Sequence, residues 1–413
     1  MIWRPFTQEK IDPPAVRIVR GEGAYLFSEN GEKYLDMISS WFVNIHGHAH
    51  REIAEAIGLQ AKTLEHVIFT RFSHEPAERL VDNLKKVVPP QLSRYFFSDN
   101  GSTAVEVALK MAYQYFKNIG AEAENRNIFL SLEGGYHGDT FGVMSAAGQY
   151  SKYHATFSEL FFKTVRIDVP EYYDGAESME EKENEIICKL EKTLQDIGEK
   201  ICAFILEPLL QGSFGMRLYR VEFLERLVNK VREYGILVIF DEVMTGFYRT
   251  GKMFAMNYTD ILPDLICLSK GITGGFLPLA LTIATDKIYE SFLSDDRKKT
   301  FLHGHSYTAN PIACAAACKS LEILQREETV AKIKGIAEFH RNHDIFNAIK
   351  RRRIGIITAF DVESEDKARF IINKAWENGI FLRPLGKTIY LFPPYCVSDD
   401  DLSRTYDVIN KYL

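Results

Sequence analysis

The middle of the chain alternates short apolar runs with longer amphipathic stretches. The apolar runs predict buried strands and the amphipathic stretches predict helices, which in chain order cover residues 95–97, 103–116, 127–132, 202–206, 222–234, 237–240 and 265–268. Strands that alternate with helices favour a mostly parallel sheet with helices on both faces, so the predicted fold class is α/β. Ligands bind such sheets beyond the carboxyl ends of the strands, and we expect the chemistry in the residues that follow each strand.

The two ends of the chain have different patterns. Near the N-terminus, apolar residues at 24–27 and 33–38 flank Asn30 and Gly31, the pair that a tight hairpin turn prefers. After about residue 315, a long helical stretch leads into a smaller lobe of mixed helix and strand. We therefore predict an N-terminal segment that belongs to the small lobe, a large domain and a C-terminal small domain, at residues 1–45, 46–315 and 316–413.

Composition limits the kinds of partner. The 413 residues are 46% hydrophobic and carry a net charge of −6, which permits a large core and leaves no strongly basic lobe for a nucleic acid. The dense basic run at residues 351–353 is interpreted as a solvated turn before a strand at 354–362. No apolar stretch approaches the roughly 20 residues that span a bilayer, and nothing at the N-terminus resembles a secretory signal. We expect neither a nucleic acid nor a membrane as a partner.

Cysteines and histidines predict neither disulfides nor a metal site. The six cysteines include no Cys-x-x-Cys pair, so we expect reduced thiols in a cytoplasmic protein. Histidines cluster at residues 46–50 and 303–305, but they are separated by single residues in loop-like sequence with no carboxylate pattern nearby. Metal-binding histidines need further ligands on a rigid element, which these clusters lack.

A lysine and an aspartate each follow a predicted buried strand. Lys270 comes after the apolar run at 265–268 and before glycines, and Asp241 comes directly after the run at 237–240. Taken alone, Lys270 fits a surface lysine that closes a strand, and Asp241 fits a metal ligand or a helix cap. Together they favour pyridoxal 5′-phosphate (PLP), because a buried neutral amine attacks a carbonyl and a carboxylate keeps the pyridine nitrogen protonated.

Two polar turns that follow strands offer further parts of a cofactor site. Residues 98–103 open a predicted helix with Gly101 and Ser102, where backbone N–H groups can bind phosphate, although such residues are also ordinary helix caps. Residues 134–139 contain Tyr136 between glycines, where a ring can stack on a cofactor or simply be exposed in a turn. The nearby lysine and aspartate favour the cofactor interpretation for both turns.

Together these strings resemble the class III, fold type I, PLP-dependent aminotransferases. The specific strings lie at residues 241–243, 246–247, 249–251, 269–271 and 274–275. The resemblance covers nearly the whole chain. It implies a large domain with a mostly parallel sheet between helices, a smaller α+β domain, bound PLP, and a homodimer whose active sites are completed by both subunits.

The resemblance also implies a role for each residue around the cofactor. Lys270 forms the Schiff base with PLP and afterwards shuttles the substrate proton, and Asp241 pairs with the pyridine nitrogen. Gly101 and Ser102 hold the phosphate, and Tyr136 lies over the cofactor and contacts substrate. The phosphate site is completed by two residues of the partner subunit, which are His305 and Ser306.

Further strings resemble the members of the class that convert 8-amino-7-oxononanoate to 7,8-diaminononanoate in biotin synthesis. They lie at residues 3–8, 39–41, 45–48, 303–307, 310–311 and 383–386. This resemblance implies that Trp41 lines a pocket for the aliphatic chain, that Gly304 contacts substrate and that Arg383 receives a substrate carboxylate. Arginine suits that task because its guanidinium can bind a carboxylate through two parallel hydrogen bonds.

Three further residues are expected near the substrates. Arg249 is expected to bind the donor carboxylate, and Asp139 is expected to assist near the pocket. Phe6 is expected in the substrate site, where many members that use S-adenosylmethionine carry a tyrosine. The resemblance implies S-adenosylmethionine as the donor, with lysine as the alternative.

Two other functions stay open. Another class III ω-aminotransferase would act on ornithine, 4-aminobutyrate or a similar amine, and Trp41 together with the string at 303–307 disfavours it. A non-catalytic or nucleotide-binding α/β protein would share only the sheet. The sequence lacks the glycine-rich fingerprints of nucleotide-binding folds, which disfavours that alternative.

Overall fold

The helices and strands are given by a computed structural model, which describes residues 2–120, 125–147 and 155–413. The strands are β1 (Ile18–Glu22), β2 (Tyr25–Ser28), β3 (Lys33–Asp36), β4 (Leu92–Ser98), β5 (Ile128–Leu132), β6 (Thr164–Ile167), β7 (Ile201–Leu206), β8 (Leu210–Gln211), β9 (Arg217–Leu218), β10 (Leu237–Asp241), β11 (Leu265–Leu268), β12 (Ala280–Thr285), β13 (Ile349–Ile354), β14 (Ile357–Asp361), β15 (Ile380–Phe381) and β16 (Thr388–Leu391). The helices are α1 (Ser39–Phe42), α2 (Arg51–Thr63), α3 (Glu75–Leu84), α4 (Gly101–Ile119), α5 (Phe141–Ala146), α6 (Met179–Ile197), α7 (Val221–Arg232), α8 (Asp286–Glu290), α9 (Pro311–Leu324), α10 (Glu327–Asn342), α11 (Glu365–Glu377) and α12 (Asp399–Tyr412).

A mostly parallel sheet forms the centre of the protein. Within the described residues its strand order is β4-β12-β11-β10-β7-β5-β6. Neighbouring strands are parallel except at β12, which runs antiparallel to both β11 and β4. Every residue of β5, β7, β10 and β11 is buried, as expected for strands that are covered on both faces. The predicted α/β fold class is confirmed.

Helix α4 packs across the middle of this sheet. Its buried residues include Ala104, Ala108 and Ala112, which recur every four positions and therefore form one apolar face. The hydroxyl of Thr282 in β12 donates a hydrogen bond to the Ala104 carbonyl at 2.7 Å. Because small alanines face the strands, the helix lies close to the sheet, and its first turn is fixed relative to the strand ends.

The N-terminal hairpin and the C-terminal lobe share a second sheet, in the order β1-β2-β3-β15. Strands β2 and β3 pair antiparallel, so the hairpin predicted around Asn30 and Gly31 is confirmed. Gly31 has a φ of 82°, a conformation that glycine adopts without strain. Strand β15 pairs parallel with β3, and Ile380 lies opposite Leu35. Residues from the two ends of the chain therefore meet in one sheet.

The basic run at residues 351–353 lies in a strand, so its interpretation as a solvated turn is wrong. It belongs to β13, which pairs with β14 across a turn at Gly355, and this hairpin replaces the single strand predicted at 354–362. Arg352 is 4% exposed, and its Nη2 lies 2.6 Å from Asp361 Oδ1 of β14. A charged side chain is accommodated in the strand because a carboxylate on the neighbouring strand pairs with it, which the local pattern did not reveal.

Buried apolar side chains connect the central sheet to the C-terminal lobe. The largest cluster includes Leu130 and Phe240 in the sheet and Phe360 and Tyr406 in the lobe. A second cluster fills the space between α4 and the sheet. Among the helices in the described part of the chain, none is both long and apolar enough to cross a membrane.

Candidate active site

Asp241 and Lys270 lie at the carboxyl ends of adjacent parallel strands. Asp241 is the last residue of β10 and pairs with Cys267 of β11, the strand that leads to Lys270. Because parallel strands end at the same edge of a sheet, both side chains line one cavity there. Lys270 has a φ of 45°, a strained conformation of the kind that concentrates at functional sites. The structure brings the predicted lysine and aspartate together.

A histidine that sequence analysis did not single out holds Asp241. His137 is 4% exposed, and its Nδ1 lies 2.7 Å from Asp241 Oδ2. The Val243 N–H donates to the other carboxylate oxygen at 3.1 Å. A carboxylate only accepts hydrogen bonds, so His137 carries its proton on Nδ1. Its Nε2 is buried and has no partner among the described residues, which leaves a polar atom for a ligand or water to satisfy.

The surroundings of Lys270 favour its neutral form. Burial lowers the pKa of Lys270 below its ordinary value; Asp241 and Glu207 oppose this shift, and the cation of Arg249 adds to it. A lower pKa gives a larger fraction of the neutral amine, which is the nucleophilic form. The Lys270 Nζ lies 5.2 Å from the centroid of the Phe42 ring, which covers it.

Glu207 is a second site residue that sequence analysis did not single out. It follows β7 much as Asp241 ends β10, is 5% exposed and lines the same cavity. The N–H groups of Tyr136 and Gly212 each donate to its carboxylate at 3.0 Å. Burial nevertheless raises the pKa of Glu207 to about 7, so this group exchanges its proton near neutral pH.

The start of α4 also lines the cavity. Asn100 caps the helix with its side chain, and the N–H groups of Gly101 and Ser102 have no partner inside the helix. A Cβ added at Gly101 would lie 2.7 Å from Val243 Cγ1, and Gly138, with a φ of 122°, packs against the Ser102 hydroxyl. The missing side chains therefore let Val243 and Ser102 pack closely around the helix start, whose free backbone N–H groups can bind an anion.

The residues in this cavity fit pyridoxal 5′-phosphate. They supply a carboxylate for a pyridinium nitrogen, an amine for an aldehyde and helix N-terminal N–H groups for a phosphate. Tyr136 also lines the cavity, and its hydroxyl donates to Asp139 Oδ2 at 2.9 Å. Burial, with the nearby Asp139 carboxylate, raises the pKa of Tyr136, so the hydroxyl keeps its proton near neutral pH.

Three predicted substrate residues lie together on another side of the site. The Arg383 Cζ is 4.4 Å from the centroid of the Trp41 ring and 6.0 Å from that of Phe6. The two aromatic rings meet edge to face, with centroids 5.5 Å apart. Arg383 has no ion pair with any described residue, so its guanidinium is available to a carboxylate.

A larger cavity adjoins the cofactor cavity. Its volume is about 570 Å³, and it shares Tyr136 and Ser213 with the smaller one. It extends to Leu385 and Gly386, in the loop that begins with Arg383. Sites for small molecules have volumes of about 300–1,000 Å³, so this space is large enough for a substrate next to the cofactor cavity.

Trp41 and Phe42 lie in the short element α1, whose backbone forms a left-handed turn. All four residues of Ser39–Phe42 have positive φ, between 46° and 72°. This conformation costs about 1–2 kcal/mol for each residue that carries a Cβ, and it persists only where surrounding contacts impose it. The turn places Trp41 against Arg383 and Phe42 over Lys270.

Arg249 is bound inside the protein. It is 1% exposed, and its Nη1 and Nη2 donate to the carbonyls of Pro393 at 3.0 Å and Phe42 at 2.9 Å. Its Nε has no partner among the described residues. The guanidinium links the left-handed turn to the C-terminal lobe, and its contact with a donor carboxylate stays a prediction.

Gly304, His305 and Ser306 do not line the cofactor cavity of their own chain. The His305 Nε2 lies 4.0 Å from Asp99 Oδ1, while Gly304 and Ser306 are exposed. Their contribution to the site of a partner subunit stays a prediction.

Comparisons with known proteins agree with this geometry. The family model described as Aminotransferase class-III matches residues 6–413. An adenosylmethionine-8-amino-7-oxononanoate aminotransferase of Synechococcus elongatus is 47% identical, and the alignment covers 100% of this chain and 98% of the relative. A protein of the same name from Helicobacter pylori is 37% identical, with 98% and 93% covered.

Solved structures resemble the chain over its whole length. The adenosylmethionine-8-amino-7-oxononanoate aminotransferase of Methanocaldococcus jannaschii has a TM-score of 0.90 and 34% identity, and the match covers 100% of this chain and 96% of the other. An amine transaminase from an uncultivated Pseudomonas species, in a PLP-bound form, has a TM-score of 0.89 and 28% identity, with 100% and 98% covered.

Proposed function

The chain belongs to the class III aminotransferases, a PLP-dependent family, and on this premise we propose that it transfers an amino group to 8-amino-7-oxononanoate in biotin synthesis. The product is 7,8-diaminononanoate, and the proposed donor is S-adenosylmethionine. The observation that carries the proposal is Arg383 over the ring of Trp41, the neighbour of Phe42 in the Lys270 cavity. The chain also matches relatives of that name over more than nine tenths of their length.

Five residues would hold the cofactor, namely Lys270, Asp241, Tyr136, Gly101 and Ser102. Bound PLP supplies an electron sink that stabilises the negative charge left when a C–H bond beside the amino group breaks. Asp241 would keep a proton on the ring nitrogen. The Lys270 Nζ would carry a proton from the donor carbon to the former aldehyde carbon of the cofactor, and in the opposite direction when the acceptor reacts.

The protein prepares Lys270 for this proton transfer. A general base is most effective when its pKa lies near the working pH, and burial moves the pKa of Lys270 in that direction. Phe42 covers the amine and excludes water from it. The Tyr136 ring is held over the cavity by the bond from its hydroxyl to Asp139, which is how we propose that Asp139 assists.

Arg383 is proposed to bind the acceptor carboxylate. Its guanidinium has no ion-pair partner among the described residues, and a planar guanidinium binds a carboxylate through two parallel hydrogen bonds. The Trp41 and Phe6 rings beside it supply an apolar wall for the aliphatic chain. The carboxylate at one end of the acceptor would thereby pair with Arg383, while the keto carbon at the other end lies at Lys270.

The donor assignment rests on the names of the relatives. S-adenosylmethionine is the proposed donor and lysine the alternative. Arg249 is proposed to bind the donor carboxylate, and its Nε is the guanidinium nitrogen without a partner among the described residues.

The site is proposed to be complete only in a homodimer. His305 of the partner subunit and Ser306 of the partner subunit would add to the phosphate site, and Gly304 of the partner subunit would contact substrate. We also propose the domain boundaries 1–45, 46–315 and 316–413 and a cytoplasmic location, which the reduced cysteines favour.

The test is a pair of half-reactions. The PLP form of the purified enzyme is mixed separately with S-adenosylmethionine and with lysine, and the loss of cofactor absorbance is followed. We expect S-adenosylmethionine to remove the absorbance and 8-amino-7-oxononanoate to restore it, with 7,8-diaminononanoate detected by mass spectrometry.

Other outcomes identify other functions. Loss of absorbance with lysine but not with S-adenosylmethionine would keep 8-amino-7-oxononanoate as the acceptor and make lysine the donor. A reaction with ornithine or 4-aminobutyrate, without any product from 8-amino-7-oxononanoate, would keep the transaminase and reject the biotin assignment. Seeing no change with any amine would reject catalysis altogether.

A further inference from the structure

A buried carboxylate holds the left-handed turn Ser39–Phe42 from within. Asp36 is 0% exposed, and its Oδ2 accepts from the Ser40 hydroxyl at 2.6 Å and from the His48 Nε2 at 3.0 Å. Its Oδ1 accepts from the Ile38 N–H at 3.3 Å. Ile38 just before the turn, Ser40 within it and His48 beyond it therefore all donate hydrogen bonds to the Asp36 carboxylate.

His48 is held on its other side by Asn44. The Asn44 Nδ2 donates to the His48 Nδ1 at 2.8 Å, so the proton on Nε2 is the one that His48 donates to Asp36. The Asn44 N–H donates to the Ser39 carbonyl at 3.0 Å and closes the turn. Hydrogen bonds thus run without a break from Asn44 through His48 and Asp36 to Ser40.

The two aromatic residues of the turn depend on these bonds to different degrees. The Phe42 carbonyl has its own partner in Arg249, at 2.9 Å. Among the described residues, the aromatic and cation–ring contacts of Trp41 are with Phe6 and Arg383, and Trp41 is 39% exposed. The position of the Trp41 ring therefore depends on the backbone of the turn, which the Ser40 to Asp36 bond helps to hold.

We infer that Asp36 and His48 are positioning residues for the acceptor: their hydrogen bonds hold the strained turn that presents Trp41 to Arg383. This inference rests on the proposed function for the identity of the acceptor. Strained backbone is retained where neighbouring contacts over-determine it, and here those contacts are made to the turn that carries Trp41. Neither residue lines the cofactor cavity, so their effect passes through the turn.

The kinetic test uses Asp36→Asn and His48→Leu in the PLP-loaded enzyme. We expect the KM for 8-amino-7-oxononanoate to rise at least about tenfold, while the rate of the donor half-reaction changes less than about threefold. The matched variant His48→Gln keeps an N–H near the position of Nε2, and we expect it to retain a KM within about threefold of the wild-type value. Equal losses in both half-reactions, or no change in KM, would overturn the inference.

Glu183→Gln separates positioning from general destabilisation. Glu183 is also 0% exposed and ion-paired, with Arg220 at 2.6 Å, but it lies in α6 and bonds to no residue of the turn. We expect this variant to lower the melting temperature and leave the KM for the acceptor unchanged. A rise in KM equal to that of Asp36→Asn would mean that the kinetic effect is merely structural.

A fluorescence measurement does not depend on the acceptor. Replacing Trp3 and Trp376 by phenylalanine leaves Trp41 as the reporter, and acrylamide quenching measures its accessibility. We expect Asp36→Asn to increase the quenching and His48→Gln to leave it unchanged. If the wild-type enzyme made no 7,8-diaminononanoate, the proposed function would be rejected. The quenching measurement would still show whether Asp36 and His48 hold the turn. Unchanged quenching in Asp36→Asn would overturn the inference.

Discussion

The cofactor end and the substrate end of the site are built in different ways. Lys270 and Asp241 lie at the carboxyl ends of adjacent strands of the central sheet, so backbone hydrogen bonds determine where they lie. Phe6, Trp41 and Arg383 come from the N-terminal segment, a left-handed turn and the C-terminal lobe, and they meet through side-chain contacts. The first arrangement is a property of the sheet, whereas the second depends on a few contacts between distant parts of the chain.

This difference separates the two half-reactions. Both half-reactions use the cofactor and the same lysine, so substitutions at the cofactor end should impair donor and acceptor alike. A substitution at the substrate end that touches only acceptor contacts should raise the acceptor KM and spare the donor step. Comparing the two half-reactions therefore measures how independent the two ends are.

The largest effect is expected for Lys270→Ala. Removing the amine eliminates both the attachment of the cofactor and the proton transfer, and we expect turnover to fall by about 10,000-fold, the upper end of general acid–base effects. Both half-reactions should be lost together, while the far-ultraviolet circular dichroism and melting temperature show that the fold survives. Turnover close to that of the wild type would reject the assignment of Lys270.

Arg383→Ala should impair only the acceptor step. Removing one partner of a buried charge pair costs about 2–5 kcal/mol, so we expect kcat/KM for 8-amino-7-oxononanoate to fall about 100-fold. The donor half-reaction should keep its wild-type rate. Arg383→Lys keeps the charge but loses the two parallel hydrogen bonds, and we expect an intermediate loss. Equal losses in both half-reactions would show that the two ends are not independent.

Sequence reasoning identified the residues that local pattern places at strand ends. Lys270 and Asp241 each followed an apolar run, and the structure puts them in one cavity. Glu207 follows the predicted strand at 202–206 in the same way, so the signal was present and only its significance was missed. His137 could be linked to Asp241 only by the fold, because 104 residues separate them.

The substrate end was less accessible to sequence reasoning. No glycine marks the turn Ser39–Phe42, and residues with a Cβ are held in this conformation by tertiary hydrogen bonds, among them those of Asp36, His48 and Arg249. The buried Arg352 was misjudged for the same physical reason, since its partner lies on another strand. Tertiary hydrogen bonds overrode local propensity in both places.

His137→Phe tests how far the support of Asp241 matters at the cofactor end. A hydrogen bond to a charged group contributes about 1.5–3 kcal/mol, so losing the bond from Nδ1 should lower kcat by roughly tenfold or more in both half-reactions. His137→Asn can keep an N–H near the position of Nδ1, and we expect it to recover part of the loss. An effect confined to the acceptor step would contradict the division between the two ends.

The smallest effect is a shift in the titration of Lys270, which tests the electrostatics of the cofactor end. Because burial lowers the pKa of Lys270, cofactor-free protein should incorporate added PLP with a half-maximal rate below pH 10.5, the ordinary lysine value. Above about pH 7 Glu207 is ionised and raises the pKa of Lys270, so Glu207→Gln should move the midpoint to lower pH.

Arg383→Ala is the matched control for this titration, since its guanidinium stacks on Trp41 and does not line the cofactor cavity. We expect Arg383→Ala to have the same pH midpoint for PLP incorporation as the wild type. A midpoint that rose in Glu207→Gln would contradict the sign of the Glu207 effect. A shift in Arg383→Ala would mean that charge at the substrate end reaches the lysine, and the two ends would then be coupled through their electrostatics even though separate parts of the chain build them.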